Sequence, residues 1–466
     1  MIDLLSFVQL FAAAGGGGSS SSGDGGGGIL GLLLLAGAAI TTPIGSKYRK
    51  KLRQDNDRAA FNSGQKVTWF VAGGLSLVVI SLGSMLPALG FAYFVIPFTA
   101  GLIIGAGAGL YGWLDKIKPN KKIKAGLAKS ATNDKVWDEN FLKTGATNIY
   151  NKYQQDWSNF NLASMQTYMT PNYYNHVYLM MSEMYAMGRR NVSTVNTIST
   201  LEITNMRDSA DDNQDRFVAG ISATLIDQLI DIRSNKLIWQ SGYENHEYWQ
   251  FVRDGQSWRL DGITPYTTEL STRQIEIQRF AQQNGAYYSL DWGRLLMPQS
   301  GQLFSDGSMQ VSDINNHVIG RLVDTGRAVS DGIIYQIYTY SERPANEGGK
   351  VYLVGQITVP KYYGDILIRR RKGLLQFGVR GLREMTTEWA DFNKKFQVFA
   401  TSPEQVTSFE LLNPQMMQWL EAAPFEVNLE VIGNSIYFYS QLGNISAENY
   451  ATMLSILQAA YRELKM

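Results

Sequence analysis

The sequence predicts a membrane-anchored α+β protein: N-terminal transmembrane helices followed by two water-soluble α+β domains. Three observations carry this. Val67–Leu86 and Phe91–Leu114 are apolar stretches without a charge, joined by Pro87-Ala-Leu-Gly90, and each reaches the roughly 20 residues that span a bilayer as a helix. From Trp137 onward apolar residues recur at helical spacing, and from Phe217 they alternate strictly, the order of an α+β domain. From about Leu303 a second, strand-rich pattern begins.

At 466 residues the chain exceeds one typical core. Its net charge of +1 gives no whole-chain attraction to nucleic acid, and none is expected as a partner. There is no cysteine, which excludes disulfides, Cys-ligated zinc and a Cys nucleophile. The three histidines, His176, His246 and His317, lie at no metal-ligand spacing. No metal and no cofactor is expected.

Residues 1–28 are an apolar start followed by a linker. Met1–Ala14 ends in small residues but carries Asp3 where a signal peptide has Lys or Arg, so its cleavage stays open. Gly15–Gly28 is Gly and Ser with one Asp, too poor in side chains to order its backbone. The transmembrane region is placed at 29–114, with spans 29–44, 67–86 and 91–114; the first is short and crosses only with tilt or local thinning, and an interfacial segment is the alternative. Residues 46–66 carry seven Lys or Arg, and 115–135 carry seven Lys, whereas Pro87–Gly90 and the first 28 residues carry none. By the positive-inside rule the N-terminus lies outside and the soluble domains lie in the cytoplasm, at the inner membrane of a bacterium.

Gly101, Gly105 and Gly109 form a small-residue stripe in the second half of the hairpin. It suits close packing against Val67–Leu86, with another subunit, and so a homo-oligomer, as the alternative. The basic juxtamembrane segment, 115–134, contains Lys116, Lys118, Lys121, Lys122, Lys124 and Lys129. These are stop-transfer charges or a surface for anionic lipid, at about 1 kcal/mol for each Lys near the headgroups.

The first soluble domain is set at 135–264. Trp137–Ser158 reads as a helix with Trp137, Phe141, Ala146 or Ile149, Tyr153 and Trp157 on one side; Leu162–Met169 and Pro171–Met187 follow. Leu201 and Ile203, then Phe217 to Leu225, Trp249 with Phe251, and Trp258 with Leu260 after the turn Asp254-Gly255 read as antiparallel strands. The order Phe141, Tyr153, Trp157, then Asn161-Leu162 and Met169-Thr-Pro171, and the ending Glu247-Tyr-Trp-Gln-Phe-Val-Arg-Asp-Gly-Gln-Ser-Trp-Arg-Leu-Asp-Gly-Ile263 resemble the Tim-forty-four-like domain of the mitochondrial import motor's membrane anchor. The resemblance covers about 130 residues. It implies a cone of the nuclear-transport-factor-two-like class, with helices against a curved antiparallel sheet around an apolar pocket, acting by contact with membrane or partner proteins. The pocket candidates are Phe217, Ile221, Leu225, Trp249, Phe251, Trp258 and Leu260. A catalytic pair of His176 and Asp227 would need both inside that pocket; an exposed helix His and a strand-end Asp are the plainer reading.

Tyr266–Asn284 reads as a helical linker, within a connection set at 265–300, and the second α+β domain at 301–466. Its strands are Val318–Leu322, Ile333–Tyr340, Val351–Val359, Ile366–Arg370, Phe396–Ala400, Val427–Val431 and Ile436–Phe438; a turn lies at Glu347-Gly-Gly349 and a helix at Thr407–Leu420 is interrupted by Pro414. Ser446 is a good N-cap for a last helix whose Tyr450, Met453, Leu454, Leu457, Tyr461 and Leu464 share a face. The run Phe392–Ser402, Leu411–Met417 and Gly433–Tyr439 resembles a bacterial family of unknown function, numbered thirty-one thirty-seven. Arg369-Arg-Arg-Lys372 reads as a solvated strand edge.

The expected function is that of a membrane-tethered, non-enzymatic scaffold or adaptor, with a partner protein, a peptide or membrane lipid in its cytoplasmic cone. A small-ligand or enzymatic cone, and a subunit of a transport or translocation assembly, are the alternatives.

Overall fold

The structure, a computed structural model, describes residues 121–265, 270–290, 293–296, 314–323, 332–341, 350–371, 379, 381–407 and 409–464. The Gly/Ser linker, all three expected spans, Gly101, Gly105 and Gly109, Lys116 and Lys118, and the turn at Glu347–Gly349 lie outside these. Among the described residues no helix is long and apolar enough to cross a membrane. Gly126–Met466 forms one compact unit of α+β architecture with two antiparallel sheets.

In the first domain, residues 121–133 are helical, and Leu127 and Ser130 are buried. Ser130 donates to Asp208 at 2.6 Å, so the folded domain starts before 135. Helix α1 (Glu139–Ser158) begins after Asp138, whose carboxylate caps Phe141 N. Its buried face is Leu142, Ala146, Tyr150, Tyr153 and Trp157. Phe141, expected inside, is 46% exposed, because the buried stripe runs through its neighbour Leu142, about 100° around the helix; the helix itself starts at Glu139, after a 3-10 turn at Lys135–Trp137. Helix α2 (Leu162–Gln166) stops short of Met169 because Met169 pairs with Leu260 in a parallel bridge and Thr170 N donates to Leu260 O at 2.9 Å. Helix α3 (Pro171–Ala186) has Pro171 at its first position and the Thr170 hydroxyl as cap.

Four long strands follow, β1 (Arg189–Arg207), β2 (Arg216–Asp231), β3 (Leu237–Asp254) and β4 (Ser257–Pro265), paired in sequence order. β1 loses register against β2 at three places, between Val195 and Thr197, Ile198 and Thr200, and Ile203 and Asn205. Such bulges bend a strand and increase its twist.

The second domain opens with α4 (Thr272–Gln283), capped by a Ser271–Gln274 capping box. This is the stretch expected to link the domains. Instead Ile277, Phe280 and Ala281 are buried in the second core, because three apolar residues on one helical face seek a partner. The remaining strands are β5 (Tyr287–Ser289), β6 (Ile314–Leu322), β7 (Ile333–Ser341), β8 (Val351–Thr358), β9 (Ile366–Arg370), β10 (Arg383–Met385), β11 (Phe396–Ala400), β12 (Asn428–Ile432) and β13 (Ser435–Gln441). They form one nine-stranded sheet, ordered β10-β11-β9-β12-β13-β8-β7-β6-β5. The helices are α5 (Ala390–Lys395), α6 (Pro403–Thr407), α7 (Pro414–Ala422) and α8 (Ala447–Glu463). Pro414 starts α7 and does not interrupt a longer helix. Ser446 caps α8, and Tyr450, Met453, Leu454, Leu457, Tyr461 and Leu464 are all buried.

Alternation along the central strands gives the sheet two unlike faces. Tyr335, Ile337, Leu353, Ile357, Ile436 and Phe438 meet α4 and α8 in the apolar core. Gln336, Tyr338, Gln356 and Tyr437 point the other way and are also buried. The arginine run is not at an edge, since β9 lies between β11 and β12. Arg369 stacks on Phe399 at 4.9 Å, Arg370 donates to Leu420 O at 3.2 Å, and Arg371 pairs with Glu384 at 2.8 Å. These cations hold neighbouring elements together; Lys372 lies outside the described residues.

Candidate functional site

The seven residues expected to line a pocket converge on the inner face of the first sheet. Register places them there: Phe217 opposes Phe251, Ala219 opposes Trp249, and Phe251 opposes Leu260. Phe217 stacks on Phe251 at 4.6 Å and meets Trp258 edge-on at 4.8 Å, with Trp137 at 5.1 Å from Trp258. Trp249 is in ring contact with Tyr150 at 4.9 Å and Tyr153 at 5.2 Å. Ile221, Leu225 and Leu260 are 3%, 2% and 0% exposed. The side chains therefore pack on one another and on α1 as core, each large ring contributing about 2–3 kcal/mol by its removal from water.

Polar groups sit among these rings. Trp249 Nε1 donates to Glu247 Oε2 at 3.0 Å. Burial raises the Glu247 carboxyl above the ordinary range, and Asp227 adds to the shift. Asp227 accepts a hydrogen bond from the Ser193 hydroxyl. The phenols of Tyr150, Tyr153 and Tyr173 are raised by burial, with Glu247 a further cause for each. Glu247 was legible: it alternates with Trp249 and Phe251 and so faces inward, although a carboxylate in an aromatic strand reads first as solvent-facing.

His176 and Asp227 are engaged separately. His176 is buried, not exposed: its ring stacks on Tyr287 at 5.1 Å and its Nε2 lies 3.0 Å from the Ser289 hydroxyl. Burial pushes its pKa down to about 3, with His317 a smaller cause. His317, on β6, is buried with Nε2 2.7 Å from Gln336 Oε1, and burial takes it down to about 4. Both rings are neutral at physiological pH. The third, His246, faces the opposite side of the first sheet, with Nδ1 2.7 Å from the Ser222 hydroxyl.

His176 belongs to a polar seam between α3 and the second sheet that sequence reasoning missed. Glu183, one per cent exposed, accepts hydrogen bonds from the Thr358 hydroxyl and from Gln356 Nε2 at 3.3 Å. Thr358 in turn contacts the Ser435 hydroxyl at 3.1 Å, and Tyr338 donates to Gln356 Oε1 at 3.3 Å. Asn434 Nδ2 donates to Ala186 O at 3.2 Å, and Arg189 Nη1 to Leu295 O at 3.3 Å. Burial raises Glu183 to about 7, opposed by its hydrogen bonds and by Arg189. The available signal was the even spacing of Gln336 and Tyr338 and of Gln356 and Thr358 on strands otherwise apolar.

Lys121, Lys122, Lys124 and Lys129 are exposed on the helical stretch 121–133, which contains no Asp or Glu. Among the described residues no three His, Asp or Glu side chains are placed to hold a metal ion.

No family model matches the sequence, and no curated protein matches it. Among solved structures, the mycobacterial trehalose monomycolate transport factor A is similar at a TM-score of 0.29 and 12% identity, over 42% of this chain and 96% of that one. The intermembrane space region of the chloroplast protein ARC6 is similar at 0.23 and 13%, over 27% of this chain and 97% of that one. Likenesses this slight carry no weight for fold or function.

Proposed function

We propose that this chain is a membrane-tethered, non-enzymatic adaptor. It holds a two-domain α+β body at the inner face of a bacterial cytoplasmic membrane, where the body takes a partner protein, a peptide or lipid. The first domain is read as a Tim-forty-four-like cone on the residues that carry that resemblance, and the hairpin at 67–114 is its anchor. One observation supports this most: the exposed Lys121, Lys122, Lys124 and Lys129 on the acid-free helical stretch 121–133, at the start of the described residues. Such a stretch is drawn to anionic headgroups within a Debye length.

The test is sedimentation with vesicles. A chain starting at Lys121 is expected to bind vesicles containing phosphatidylglycerol, to ignore neutral ones, and to be released at about 0.5 M salt, where screening shortens the range of charge to a few Å. Replacing the four lysines with Gln should abolish binding. If the chain binds no vesicles and brings down no protein from mild detergent, the adaptor reading fails.

A further inference from the structure

Beside the His176–Tyr287 ring stack and the bonds of Asn434 and Arg189, the seam between the two domains holds a cluster of polar contacts around one buried carboxyl group, and this gives it a property that an apolar seam lacks. Glu183 projects from α3 of the first domain into the polar face of the second sheet, where Thr358 and Gln356 of β8 donate to it. We propose that Glu183 is a proton-operated clasp: the two domains are held together when its carboxyl group is neutral and loosen when it ionises.

The surroundings support this. The groups packed around the carboxyl are Thr358 and Gln356 from β8, Gln336, Tyr338 from β7, Ser435 and Tyr437 from β13, and Arg189 from β1. Arg189 is the cation among them, and Asp231 and the phenols of Tyr437 and Tyr338 also act on it. Removing a carboxylate from water costs several kcal/mol, and a few neutral donors and one shared guanidinium offset only part of that. Separation of the domains would return the ionised group to water, whereas the neutral acid loses little by staying. Deprotonation therefore favours the separated arrangement. The change falls near neutrality, as Glu183 is raised to about 7. The other titratable groups of the seam keep their state there: burial takes His176 to about 3 and His317 to about 4, and raises Tyr338 and Tyr437.

The absence of cysteine lets a pair of spin labels be introduced cleanly. Gln155→Cys on α1 and Gln458→Cys on α8 are both exposed positions, one in each domain. In the full chain in detergent, the distance between them is measured by pulsed electron resonance at pH 6 and pH 8. The expected result is a single narrow distribution at pH 6 that broadens or lengthens at pH 8, and a narrow one at both values in Glu183→Gln. An unchanged distribution with pH, broadening that persists in Glu183→Gln, or a Glu183→Gln chain that is broad at both values would each overturn the proposal. Circular dichroism at both values establishes that each domain remains folded.

Discussion

Arg253 Nη1 donates to Asp215 Oδ2 at 3.0 Å, with both side chains withdrawn from water, and the same nitrogen lies 2.6 Å from Asp134. Nη2 reaches Asp212 at 3.2 Å. One guanidinium thus ties β3 to the β1–β2 connection and to the start of the first domain. Arg253→Met would leave Asp215 buried without its cation, a change that costs about 3–5 kcal/mol when a buried pair is broken from one side. Urea denaturation should show that loss. Asp212→Asn, whose side chain is 68% exposed, should cost under about 1 kcal/mol.

The rings of the first core should separate packing from position. Trp249→Ala removes a fully buried indole in contact with Tyr150 and Tyr153, and a loss of about 3–5 kcal/mol is expected. Phe141→Ala, on the exposed side of α1, should change stability by less than about 0.5 kcal/mol. Equal effects of the two substitutions would place Phe141 in the core of the first domain beside Trp249.

That contrast marks what the sequence conveys and what it withholds. Strict alternation made the first sheet readable, because Phe217 to Leu225 has one face that must be buried; Val351 to Val359 was readable as a run of β-branched and aromatic residues after a turn, since both of its faces are buried. The final helix was readable to its cap, since Ser446 and six apolar residues at helical spacing agree. The facing of Phe141 was not, because Phe141 and Leu142 are adjacent and both apolar, about 100° apart around the helix, and it is Leu142 that continues the buried stripe of Ala146, Tyr150, Tyr153 and Trp157. The role of α4 was not, because three apolar residues in a polar helix suit a linker as well as a domain edge. The seam around Glu183 was hidden for a further reason: its partners, Thr358 and Gln356, are more than 170 residues away, and no local pattern encodes such a meeting.

Asn191 illustrates how burial overrides a motif. Asn191-Val-Ser193 has the form of a glycosylation acceptor, yet the Asn191 side chain is buried and accepts from Trp157 Nε1 at 2.8 Å while donating to Gln228 O at 3.3 Å. Asn191→Ala would orphan the buried indole N–H, and a loss of about 1–3 kcal/mol is expected in thermal or urea unfolding. An unchanged midpoint would show that this bond contributes nothing.

The two buried histidines should make the protein acid-sensitive. His176 is held down to about 3 and His317 to about 4, against an ordinary value of 6.5. Between those limits the unfolded chain binds protons that the folded chain refuses, so stability is fully present above pH 6.5 and falls as pH drops toward 3. Glu183 acts in the opposite sense. Its folded value of about 7 lies above the ordinary 4.5, so its contribution is present below pH 4.5 and is lost as pH rises to 7. Unfolding free energy measured from pH 4 to 8 should therefore lose its acid-side decline in His176→Gln combined with His317→Gln, relative to the same variant at pH 8. Glu183→Gln should remove the opposing contribution and steepen that decline. An acid-side slope unchanged by the double histidine substitution would place the acid sensitivity elsewhere in the fold.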